Sequence, residues 1–152
     1  MKYIVSIIAV LMCLSCVSNT QYNETDKDNI STTTLRYAIS KWEGCFNCSI
    51  KYLFLGVEGK TLDNYFLSEF EYPGLIVASQ ENTESNCEKG IVKIETQERG
   101  FAFSIFEIKN IGISKVKVKW GHWYSCKKYG YSYATLVKKN GKWQVKSTSE
   151  HS

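Results

Sequence analysis

The sequence predicts an α+β domain, with N-terminal helices packed on a curved antiparallel β-meander. Three observations predict it. Helical periodicity is confined to the residues before Pro73, β-branched and aromatic segments dominate after Gly74, and short turn signals separate those segments. At 152 residues, 43% hydrophobic and 22% charged, the chain has the length for one core and not for two. This composition excludes a collagenous, coiled-coil or wholly disordered chain.

Each element follows from local pattern. Leu35, Ile39 and Trp42 recur at i, i+4 and i+7, which predicts an amphipathic helix over about 32–43. Ser31 and Thr32–Thr34 offer its N-cap, and Gly44 its stop. A second helical pattern runs through Leu62, Tyr65, Phe66 and Phe70, closed by Pro73-Gly74. The segment Ile50–Leu55 between them fits a helix by spacing and a strand by composition. Leu75–Ser79, Ile91–Thr96, Phe101–Ile108, Lys115–Cys126, Tyr129–Lys139 and Lys142–Thr148 are predicted strands. Asn140-Gly141 between two of them is a strong hairpin signal. The element order resembles that of the cystatin-like and ketosteroid-isomerase-like proteins, in which a curved sheet wraps a helix. The resemblance is one of order alone, so it brings no catalytic residue to this chain.

The N-terminus reads as an address. Met1-Lys2 is a short positive region, followed by an apolar run from Tyr3 to Leu14 that ends at Ser15-Cys16. A bilayer span needs roughly 20 residues, whereas this run has the length of the apolar region of a secretory signal peptide. Its end resembles the lipobox of bacterial lipoproteins, in which a small residue precedes a cysteine that becomes acylated; Cys13 stands where that pattern has Leu, Val or Ile. The resemblance implies a signal peptide over 1–15, a lipid on Cys16, and a membrane-anchored protein of the bacterial cell envelope. Plain secretion after cleavage near Ser18 is the alternative. The polar residues 16–30 read as a flexible tether and 31–149 as a single domain.

Four cysteines remain: Cys45, Cys48, Cys87 and Cys126. In an exported chain an even number is most simply two disulfides, with three possible pairings. Cys45-Phe46-Asn47-Cys48 also has the C-x-x-C spacing of a redox centre, but no βαβ pattern surrounds it. A zinc site would want a second close pair, and Cys87 and Cys126 stand apart. No cofactor or metal motif is present.

Charge divides the chain. From Cys16 to Glu107 there are eight basic and fourteen acidic residues, a net of −6, whereas Ile108–Ser149 holds ten lysines and no acid. Lys115, Lys117 and Lys119 alternate with Val116, Val118 and Trp120, so the three lysines share one sheet face. Such a face either solubilises the sheet or docks on an acidic protein or other anionic surface. Nucleic acid is a poor partner, because no recognised binding motif accompanies the lysines. The opposite face carries Trp120, His122 and Tyr124, with Tyr131 and Tyr133 on the next strand as further candidates for an aromatic pocket that takes a small apolar ligand. His122 could act as an acid or base only beside a carboxylate, for which Glu69, Glu71 and Glu107 are candidates. The sequence therefore predicts a non-catalytic binding module, and leaves partner and oligomeric state open.

Overall fold

The computed structural model describes residues 23–46, 49–125 and 128–151. Its elements in chain order are α1 (Glu24–Ser40), β1 (Tyr52–Val57), α2 (Asn64–Ser68), β2 (Ile76–Ser79), β3 (Thr83–Asn86), β4 (Gly90–Lys93), β5 (Arg99–Gly112), β6 (Lys115–Ser125), β7 (Lys128–Lys139) and β8 (Lys142–His151). Short 3-10 turns occupy Glu43–Cys45 and Gln80–Asn82. Together they form a mixed α/β fold built on an open, uncurled eight-stranded sheet. The strand order is β2-β1-β5-β6-β7-β8, with the β3–β4 hairpin joined through β4 to β5. The curvature expected from the sequence is not found.

Helix α1 begins well before its expected start. Asn23 caps it, its side chain accepting from the Asp26 N–H at 2.7 Å, and Glu24 and Asp26 place negative charge in the first turn. Residues 24–30 are therefore helix, not tether, and Ile30 is fully buried. The buried stripe is Ile30, Ser31, Thr34, Leu35, Ala38 and Ile39. Two small polar residues in that stripe hide its period in the sequence. Thr34 is tolerated there because its hydroxyl donates to the Ile30 carbonyl at 2.8 Å. Helix α2 is a single short turn capped by Asp63, whose side chain accepts from the Phe66 N–H.

The ambiguous segment is a strand. Every residue of β1 is buried, because it runs parallel to β2 on one side and to β5 on the other, with both sheet faces covered. Consecutive antiparallel pairing runs from β3 through β8, and only β1 and β2 stand outside it as parallel strands. The last hairpin turns at Asn140-Gly141 with positive φ at both residues, as that dipeptide requires.

The main core lies between α1 and the sheet, where Leu35, Ala38 and Ile39 meet Leu53, Phe103, Ile105, Val118 and Leu136. A smaller cluster of Tyr52, Phe54, Ile91 and Ala102 fills the opposite face under the β3–β4 hairpin. The rest of that opposite face, across β5, β6 and β7, carries the lysines.

Candidate functional site: a lysine-aromatic sheet face

Register decides what each face presents. On β6, Val116 and Val118 are fully buried and Trp120 nearly so, while Lys117 is exposed and Lys115 and Lys119 are half-buried. Lys119 pairs with Tyr133 of β7 and Glu107 of β5, Lys117 with Thr135 and Lys109, and Gly121 with Tyr131. Cross-strand partners share a face. Tyr131 and Tyr133 therefore stand with the lysines, on the face away from α1. The aromatic pocket expected from Trp120, His122, Tyr124, Tyr131 and Tyr133 is split across the sheet by this register.

The lysines and rings interlock. Lys117 Nζ lies 4.2 Å from the centroid of Tyr133, and Lys119 Nζ 5.0 Å from Tyr131 and 6.0 Å from Phe106. Such contacts hold ammonium groups at defined positions while leaving them hydrated, each worth about 0.5–1 kcal/mol at an exposed site. Tyr131 and Tyr133 meet edge-on at 6.2 Å, and Phe106 stacks on Trp123 at 6.1 Å and 10°. Phe106 follows the buried Ile105 onto this face by plain alternation, and a bulge between Ile105 and Glu107 brings Glu107 to the same face. Gly121 makes room for the Phe106 ring, since a Cβ there would stand 2.7 Å from Phe106 Cε2. Phe106 and Trp123 were not singled out from the sequence. Period-2 alternation alone places both, Phe106 next to the core-facing Ile105 and Trp123 in the register of Lys115, Lys117 and Lys119.

His122 lies on the core face. Its ring packs 4.2 Å from Trp42, with Phe101, Phe103 and Trp120 within 6.4 Å. Gly130 opposes it, and a Cβ there would stand 2.8 Å from His122 Cε1. Three of the pocket candidates, Trp120, His122 and Tyr131, do border one cleft with Tyr37, Trp42 and Glu150, of ≈ 200 Å³, small against the 300–1,000 Å³ of common ligand pockets. Burial lowers the His122 pKa, and the charge of Glu150 opposes that only in part. The imidazole is held neutral, and its Nδ1 has no hydrogen-bond partner among the described residues. Two of the three carboxylates considered for it go elsewhere. Glu107 faces the lysines, and Glu69 binds Arg36 at 3.1 Å. Tyr124 packs on Phe101 at 5.4 Å, filling space instead of lining it.

Comparison with protein-family models, curated proteins and solved structures finds no match.

The remaining sequence candidates are placed as follows. Cys87 is disulfide-bonded. Cys16, Cys48, Cys126 and the side chain of Cys45 lie outside the described residues. Among the described residues no cluster of His, Cys, Asp or Glu is arranged to hold a metal, and no helix is long and apolar enough to cross a membrane.

Proposed function

We propose that this protein is an exported lipoprotein of the bacterial cell envelope, anchored through Cys16, and that it works as a non-catalytic binding module. Its open sheet face holds an acidic protein partner. The observation that carries this reading is the set of contacts in which Lys117 and Lys119 lie over Tyr133, Tyr131 and Phe106. Lysines that only solubilise a sheet point freely into water. Here the rings fix the ammonium groups in a row and supply flat apolar area between them, aromatic area of the kind enriched at protein interfaces. The charge division of the chain supports an acidic partner.

Two measurements test the reading. Intact mass of the protein from its native membranes, before and after reduction, reports acylation at Cys16; an unacylated mature chain removes the anchor from the proposal. Lys115→Glu, Lys117→Glu and Lys119→Glu together are expected to abolish salt-sensitive partner capture with the fold unchanged. Undiminished capture by that triple variant removes the face.

A further inference from the structure

The β5–β6 and β7–β8 hairpins turn at the same end of the sheet, and they are tied together. The Lys138 N–H donates to the Ser114 carbonyl at 2.9 Å, and the Gly112 N–H to Asn110 Oδ1 at 3.0 Å, so the β5–β6 tip is held and does not trail. At that tip Ile113 is 96% exposed and Ile111 42%. Two large aliphatic side chains held out into water on a braced turn are costly unless something covers them. Exposed lysines surround them: Lys109 on β5, and Lys139 and Lys142 on either side of the neighbouring turn. Of the carboxylates on the elements beside the tips, Asp26 is engaged by Lys138 and Trp143, Glu58 by the Ile108 N–H and Glu24 by Lys27 and Lys60, while Asp28 on α1 is exposed.

We infer that this end of the sheet docks on an anionic phospholipid surface, with Ile113 and Ile111 entering the interface and Lys109, Lys139 and Lys142 against the headgroups. An apolar tip ringed by lysines matches the two layers of such a surface, hydrocarbon below and negative charge above. The start of the helix lies at the same end, because Asp26 accepts from Lys138 Nζ at 2.6 Å and from Trp143 Nε1 at 3.0 Å. Asn23, which caps that helix, follows Cys16 by seven residues, a reach of at most about 25 Å. A lipid on Cys16 and the hairpin tips would therefore meet the same membrane. The strands then run away from the bilayer, which leaves the lysine-aromatic face open beside it. The inference takes from the proposed function only the lipid on Cys16, and stands or falls separately from partner capture by that face.

The test places a reporter at the tip of the full chain. Ile113→Trp substitutes a fully exposed side chain, and its folding is checked by circular dichroism. The full chain is reconstituted in vesicles containing bromine-labelled phospholipid, and quenching is compared with that of the parent protein. The added tryptophan is expected to be quenched on phosphatidylglycerol-phosphatidylcholine vesicles and spared on phosphatidylcholine alone. Each change of Lys109, Lys139 or Lys142 to Gln in the Ile113→Trp chain is expected to weaken insertion about fivefold, read from the phosphatidylglycerol content needed for half-maximal quenching. An added tryptophan that stays unquenched on both vesicles overturns the proposal. Equal quenching on both overturns the part assigned to anionic headgroups. Neither outcome bears on the Lys117 and Lys119 face, whose variants are read by partner capture.

Discussion

Asp26 accepts a hydrogen bond from Lys138 Nζ at 2.6 Å, and this pair pins the first turn of α1 to the end of β7. Trp143 Nε1 donates to the same oxygen at 3.0 Å, so one carboxylate joins the helix to both strands of the last hairpin. The Lys138 and Trp143 hydrogen bonds, in that order, hold the Asp26 carboxyl below its usual range. A group with a lowered folded pKa contributes stability above its unfolded value, and loses it as pH falls through the folded one. Asp26→Ala is expected to cost about 1–2 kcal/mol near neutrality, allowing for partial solvent screening. Urea unfolding at pH 7 and below pH 3 checks this: the gap between parent and variant should narrow in acid.

His122 gives a separate pH signature. Its folded pKa is lowered below the ordinary 6.5, chiefly by burial. Stability from the neutral imidazole is full above the unfolded value and is lost as pH falls through the folded one. The parent protein should therefore weaken below the ordinary imidazole range, at a pH where Asp26 is still ionised. His122→Phe should flatten that part of the profile. A variant whose profile tracks the parent throughout would contradict the burial.

Gly121 is expected to reject a side chain. In Gly121→Ala the new methyl would meet Phe106 Cε2 at 2.7 Å and the Gly130 carbonyl at 2.8 Å. The ring can swing aside but the backbone cannot, so a loss of about 1–3 kcal/mol is expected. Gly44→Ala is the control, since nothing lies within 4 Å of its added methyl. Thermal unfolding of the pair separates the two cases.

Lys117→Glu with Lys119→Glu is expected to leave the fold intact at a cost of about 1.5–3 kcal/mol, the sum of the three lost cation-ring contacts. A collapse of the fold in this variant would mean that the lysines are structural, against their exposure and half-exposure.

The β3–β4 turn that bears Cys87 lies against the end of β6, where a Cβ at Gly90 would run into the Tyr124 carbonyl. Peptide mapping without reduction is expected to recover Cys87 joined to Cys126, which follows Ser125 in the chain. Closing that loop of about forty residues contributes roughly 4 kcal/mol in the chain-entropy model. A Cys87 peptide that comes off with Cys45 or Cys48 would contradict this pairing.

Much of the second half of the molecule was legible in order. Alternation in Lys115–Trp120 placed three lysines on one face and Val116, Val118 and Trp120 on the other, and Asn140-Gly141 marked the last turn. Period-2 patterning and turn chemistry act over a few residues, so they survive in a single sequence. The start of α1 was hidden because Ser31 and Thr34 stand in its buried stripe, and the parallel placement of β1 because its neighbours lie far along the chain.

By itself the sequence determined the composition of the two halves: an acidic first part, a lysine-rich strand region, an apolar run from Tyr3 to Leu14, and paired apolar and basic positions along β6. These are properties of neighbours in the chain. Which rings accompany the lysines was decided only by tertiary structure. Pairing β6 with β7 so that Gly121 meets Tyr131 carried Tyr131 and Tyr133 to the open face beside Phe106 and Trp123, the bulge in β5 brought Glu107 there, and His122 was left under Trp42. A shift of one residue in either pairing would have sent those side chains to the other side of the sheet. Register is set by the fit of whole strands against α1 and the core, which no local stretch of sequence contains.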